Sequence, residues 1–327
     1  MKKRPFGTNK TMVSEVGLGT WQIGGSWGTV EDETAMKILQ TASDAGITFF
    51  DTADVYGDGR SEKFIGKFLK SQRDSFFVAT KLGRGGDPGW PGNFTPEAMI
   101  RHTDASLSRL GVERLDLIQL HCIPRDVLAD GAVFDVLRDL KKQGKIADFG
   151  ASVESVEEGL ICLKEEGIAS LQVIFNIFRQ KLITDLFGKA KEKEVSIIAR
   201  VPLASGLLSG KMTKNTTFDE SDHRNFNRDG AAFNVGETFA GVPFEKGVEL
   251  AEELKAMKPE GMTLAQMALR WILDFDAVSV VIPGASRPSQ VLDNAAISDL
   301  PPLSAELHKK LEKFYQEKVA QHIRGPY

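Results

Sequence analysis

The sequence predicts an α/β protein built as one (β/α)8 TIM barrel over residues 1–327, with an N-terminal β-hairpin and a C-terminal helix and tail. Three observations predict it. Eight short apolar runs rich in β-branched and aromatic residues recur along the chain, helical patterns separate them, and no long hydrophilic linker interrupts the series. A length of 327 residues also suggests two domains, but a barrel of roughly 250 residues with insertions accounts for it equally well.

In chain order, residues 2–6 and 12–16 around Gly7-Thr8-Asn9 read as a hairpin, expected to plug the bottom of the barrel. The eight strand runs are 17–20, 48–51, 76–80, 115–120, 146–151, 171–175, 195–199 and 278–282. They are almost continuously hydrophobic rather than alternating, as strands covered on both faces should be. Helical periodicity fills 33–45, 96–110, 134–142 and 263–273. The ends agree: Glu31 or Asp32 stands ahead of the first helix, Thr95-Pro96 opens the second, and Gly46, Gly111 and Gly144 follow C-termini. Two stretches break the rhythm, the glycine- and proline-rich 82–94 and the 45 residues of 200–244. Both follow strands, on the face where barrel active sites form, so both are expected to be functional loops. A last amphipathic helix spans 303–321, and the tail beyond it is expected to hang free or reach the site.

The net charge of −4 comes from 41 basic and 45 acidic residues that are interspersed, which excludes an electrostatic footprint for nucleic acid or an anionic membrane. Met1-Lys2-Lys3-Arg4 has no apolar stretch behind it, and no run approaches the ~18 residues of a membrane helix, so a cytoplasmic protein is expected. Cys122 and Cys162 are far apart, and the five histidines are scattered. Neither a disulfide framework nor a metal centre is expected, and redox chemistry must come from a bound cofactor.

Three strand runs end in ionisable residues: FFD at Asp51, FFVATK at Lys81 and LIQLH at His121. In a barrel these ends face one opening, and Tyr56, five residues past Asp51, can fold back toward them. Taken alone, Asp51 reads as a turn or helix cap; the convergence of four different chemistries argues for a site. A phenol is a weak acid at neutral pH, and a neighbouring ammonium is expected to lower its pKa. Asp51 would hold Lys81 charged, while His121 would donate a hydrogen bond to a substrate oxygen. Such machinery suits carbonyl reduction and lacks only a hydride donor. Trp21, Trp27 and Trp90 are candidates for the substrate pocket, ordinary loop packing being the alternative for the last two.

The segments GLGTWQIGG (17–25), FFDTADVYGDGRSE (49–62), VATKLG (78–83), RLDLIQLH (114–121), GKIADFGAS (144–152), VPLASGLLSGK (201–211) and VIPGASRPSQVLDN (281–294) span nearly the whole chain in order. Together they resemble the aldo-keto reductase superfamily, in the bacterial branch related to potassium-channel β subunits. The resemblance implies an NADP-dependent oxidoreductase that reduces aldehydes or ketones with NADPH bound across the barrel top, no Rossmann domain being needed. It implies a catalytic tetrad of Asp51, Tyr56, Lys81 and His121 with Tyr56 as proton donor. It implies Thr20 and Trp21 beside the nicotinamide, Ser152 and Gln172 at the carboxamide, and Pro202, Leu203, Gly206 and Lys211 at the pyrophosphate. Arg224 would cover the adenosine half, with Gly284, Ser286, Arg287, Gln290 and Asn294 at the adenosine phosphate. Three places depart from the family pattern: Val153 stands for an Asn, Arg200 for the aromatic residue that stacks on the nicotinamide, and Gly284-Ala285 for a Lys-Ser, so the phosphate must rely on other groups. The expected partner is a small-molecule carbonyl substrate, with the oligomeric state open. The alternative is an NADP(H)-bound regulatory or sensing protein with little turnover, against which the retained His121 argues.

Overall fold

The computed structural model describes residues 1–25, 27, 30–72 and 75–327. Strands β1 (Lys3–Phe6) and β2 (Thr11–Ser14) pair antiparallel as the expected hairpin. The eight barrel strands follow: β3 (Leu18–Gly19), β4 (Phe49–Asp51), β5 (Phe77–Leu82), β6 (Leu115–His121), β7 (Ile146–Ser152), β8 (Ile168–Ile174), β9 (Ser196–Arg200) and β10 (Val278–Val281). They run parallel in sequence order from β3 to β10. Parallel bridges Val16–Val281 and Gly19–Gly284 join the first strand to the last and close the ring.

Each strand is buried along nearly its whole length, which is why the runs carry no polar alternation. Inside the ring, Phe49, Phe77, Leu117, Ile198 and Val280 form a cluster of their own, and Phe6 and Val13 of the hairpin enter it from below. Phe6 packs on Phe49 and Phe77 at 5.2 and 5.0 Å between ring centroids. Thr8 bonds Asp148, and the Gly7 amide bonds Ser196, so the plug is tied to the strands as well as packed.

The helices lie outside, their apolar faces on the strands. Asp32–Asp44 and Ala132–Lys142 begin one and two residues earlier than periodicity suggested, while Pro96–Leu110 matches it with Thr95 capping its first turn. Thr263 and Gln266 form a reciprocal capping box on Leu264–Leu273. Among the described residues, no helix is long and apolar enough to cross a membrane.

The tail is anchored rather than free. The Arg179 side chain donates to the Pro326 carbonyl at 2.5 Å and lies over the Tyr327 ring, and the Tyr327 hydroxyl accepts from the Lys181 amide. Arg324 pairs with Asp229 and donates to the carbonyls of Gly241 and Arg228. The tail therefore grips the far side of the 200–244 loop.

Candidate active site

Parallel order brings the C-terminal ends of β4, β5 and β6 side by side, and with them Asp51, Lys81 and His121. Tyr56 arrives by a tight turn in which Gly24 and Gly57 meet backbone to backbone. A Cβ on Gly24 would lie 2.7 Å from the Tyr56 carbonyl carbon, and Gly57 has φ +62°. The close approach stacks Trp21 on Tyr56, at 5.9 Å and 14° between planes.

Lys81 Nζ donates to Asp51 Oδ1 at 2.6 Å, to the Thr52 carbonyl at 2.8 Å and to Tyr56 Oη at 3.2 Å. All three N–H bonds of the ammonium are spent, so its position is determined. The His121 ring meets the Tyr56 ring edge-on at 6.1 Å. Asp51 Oδ2 accepts from Gln172 Nε2 at 2.7 Å. Thr20 is held against the same strand end, its hydroxyl donating to the Asp51 carbonyl.

Burial changes one expectation. It pushes the Tyr56 phenol above its ordinary value, and Asp51 adds to the rise; Lys81 pulls downward as expected but does not prevail. For Lys81, burial favours the neutral amine, yet Asp51 and Tyr56 outweigh it and hold the ammonium. His121 is driven well below the usual imidazole range by burial and by the charges of Arg84, Lys81 and Arg200, so it is neutral at physiological pH.

These groups sit at the floor of a cleft of about 710 Å³. Asp51, Tyr56 and His121 line it, as do Thr20, Trp21, Trp27, Trp90, Ser152, Gln172, Arg200, Pro202, Leu203, Gly206, Lys211, Arg224, Gly284, Ser286, Arg287 and Gln290. Lys81 stands behind Tyr56, and Asn294 behind Gly284, whose carbonyl its side-chain amide faces at 3.5 Å.

Residues 15–316 match the model of the Aldo/keto reductase family. The chain belongs to the aldo/keto reductase family. The aldo-keto reductase YhdN of Bacillus subtilis is 28% identical over 325 residues, covering 96% of this chain and 93% of the relative. Among solved structures, a glycerol dehydrogenase from Gluconobacter oxydans superposes with a TM-score of 0.79 at 29% identity, covering 100% of this chain and 97% of that one. An aldo-keto reductase from Klebsiella pneumoniae, solved with NADPH, gives 0.71 at 25%, covering 96% and 95%. The family uses nicotinamide cofactors.

The cleft of this aldo/keto reductase has donors that suit such a cofactor. Among the described residues Ser152 Oγ is buried without a hydrogen-bond partner, beside a Gln172 whose amide nitrogen is engaged by Asp51. At the other end, Gln290 Oε1 accepts from the amide and hydroxyl of Ser286, and Arg287 caps helix Pro288–Ala295. In the turn Ala204–Ser209, Gly206 has φ +100°, a left-handed conformation that residues with a side chain rarely adopt. Arg224 is clamped by Asp222 at 2.5 Å between the Trp27 and Phe218 rings. Arg200, in place of a stacking aromatic, is buried, ion-paired to Glu237 and donating to the Val153 carbonyl at 3.0 Å. Burial works to raise the Glu237 carboxyl, but Arg200 and Arg84 hold it below the usual range.

Several residues of the site carried no signal in the sequence. Arg84, Glu154, Phe233, Asn234 and Glu237 all line the cleft. His223 is fully buried, 4.7 Å from Trp21 and 4.3 Å from Trp27 between ring centroids, because the 200–244 loop folds back over the cleft. His102 contacts Asp54 at 3.2 Å, just ahead of Tyr56. Cys122, Glu154 and Glu237 bring possible metal-ligating atoms within 4.8 Å of one another, but each carboxylate is paired with a guanidinium. Burial pushes the Cys122 thiol up to about 12, which leaves it protonated and unreactive. No tail residue lines the cleft; the tail instead contacts the 200–244 loop and the segment of Arg179 and Lys181.

Proposed function

We propose that this chain reduces an aldehyde or ketone to the alcohol with NADPH, with Tyr56 as the general acid. The observation that carries this reading is the Lys81 ammonium, held between Asp51 Oδ1 at 2.6 Å and Tyr56 Oη at 3.2 Å at the floor of a cleft, with a neutral imidazole across from the phenol.

A nicotinamide held beside Trp21, Ser152 and Gln172 would supply a hydride to the carbonyl carbon. The substrate oxygen sits between Tyr56 Oη and the His121 ring, and as negative charge grows on it the phenol gives up its proton. Lys81 stabilises the phenolate left behind, and Asp51 keeps Lys81 charged through the step. Solvent returns the proton to Tyr56. The raised pKa of the phenol serves this cycle, since it keeps the acid loaded at neutral pH. The retained tetrad weighs against a sensor with little turnover.

Ser286, Arg287 and Gln290 at a helix N-terminus favour a cofactor with a 2′-phosphate. By calorimetric titration, NADPH is expected to bind at least about 10-fold more tightly than NADH, the worth of one charge-assisted contact. Arg287→Ala should narrow the gap. Equal dissociation constants for the two cofactors in the unaltered protein would count against the phosphate site.

A further inference from the structure

Strand β6 ends in His121 and lies between β5 and β7, and the segments leaving those two neighbours place opposite charges on either side of it. Arg84 follows β5 by two residues, Glu154 follows β7 by two, and their side chains meet at 3.3 Å. Both line the cleft and are partly open, at 21% and 18% exposure. The neighbouring pair is closed: Arg200 and Glu237 are ion-paired and 8% exposed, and Arg200 also donates to the Val153 carbonyl. Arg84 differs: among the described residues it makes one hydrogen bond, to Glu154, although its guanidinium carries five N–H donors.

Resting on the carbonyl-reductase reading above, we propose that Arg84 and Glu154 form a hydroxyl-recognition pair that selects substrates with a hydroxyl on the carbon next to the carbonyl. A hydroxyl both accepts and donates, so it can bridge a guanidinium and a carboxylate at once. A carboxylate in the same place meets the like charge of Glu154, and an ammonium meets that of Arg84. An alkyl group strips water from both charges and returns no hydrogen bond, the costly case for polar groups in a cleft. The pair is also pre-positioned. Asn93 donates to the carbonyls of Gly83 and Gly85 at 3.1 and 2.7 Å, and Trp90 Nε1 donates to the Cys122 carbonyl at 2.9 Å, pinning the loop that carries Arg84. The Phe233 ring supports the guanidinium at 5.6 Å.

The test compares 2-hydroxypropanal with propanal, which differ by this one group, in steady-state NADPH oxidation. For the unaltered enzyme, kcat/KM is expected to favour the hydroxy aldehyde by about 10- to 100-fold, as for a hydrogen bond to a charged group. Arg84→Met should reduce that ratio by at least about 10-fold, with the loss falling on KM for the hydroxy aldehyde. Glu154→Gln removes the carboxylate but not the guanidinium; it should weaken the preference and raise turnover of glyoxylate, a carbonyl compound bearing a carboxylate. Propanal reduced as efficiently as 2-hydroxypropanal, or a variant that slows both substrates equally, would overturn the pair's role while leaving the reductase reading intact. If neither aldehyde is reduced although cofactor binds, that reading fails and this inference falls with it.

Discussion

Tyr56→Phe is expected to lower kcat for carbonyl reduction by about 10²- to 10⁴-fold, the usual worth of a positioned general acid, with NADPH still bound. The substitution removes one oxygen. Trp21 retains its stacking partner, and Lys81 retains Asp51 and the Thr52 carbonyl. Stopped-flow and steady-state NADPH oxidation measure the loss, and turnover equal to that of the unaltered protein would sink the proposed acid. The pH profile of the unaltered enzyme supplies an internal check. Because the phenol's pKa is raised, the acid form persists through neutrality and is lost only as pH rises past the ordinary tyrosine value. Because the imidazole's pKa lies well below 6.5, His121 is already neutral there. The reduction rate should therefore be flat from about pH 7 to 9 and fall above that. An inflection near the ordinary histidine value would contradict the neutral imidazole.

Lys81→Met is expected to damage stability as well as rate. The Lys81–Asp51 pair is almost wholly buried, and losing the ammonium leaves a carboxylate whose remaining side-chain donor is Gln172. Breaking one partner from a buried pair costs about 3–5 kcal/mol, and the phenolate formed in the reaction also loses its counter-ion. Thermal unfolding should show the midpoint falling by several degrees, with activity near background. The double variant Lys81→Met, Asp51→Asn separates the two effects, because it buries no charge at that place. It should recover most of the midpoint and none of the turnover. Recovery of activity in the double variant would refute the electrostatic role of Lys81.

How far the sequence could be read depended on whether a feature was local or came from the path of a loop. Strand and helix runs are local, and a barrel converts their order into position, so Asp51, Lys81 and His121 could be brought together from strand ends alone. The plug was legible because two short runs flank Gly7-Thr8-Asn9 ahead of the first barrel strand, and its Phe6 and Val13 enter the barrel core. Glu237, Phe233 and His223 were not legible: they lie in a stretch without periodicity that reaches the cleft through short turns, including left-handed residues at Ser205 and Ala240. The Arg84–Glu154 pair joins loops 70 positions apart, and neither residue stands out from its neighbours. Direction of titration was also beyond reach, because the phenol's pKa depends on how completely it is buried, which no spacing reveals.

The distribution of tryptophans has an optical consequence. Of the four in the chain, Trp21, Trp27 and Trp90 line the cleft, while Trp271 is packed in the core between Phe175 and Phe275. Excited with ultraviolet light, the first three should transfer energy efficiently to a reduced nicotinamide bound against them, and the fourth, which does not line the cleft, less so. One emission spectrum thus contains three indoles against the cleft and a fourth that reports mainly on the packing of the core. Replacing Trp271 by Phe would isolate the first signal, and occupancy could then be followed through a melt without any added dye.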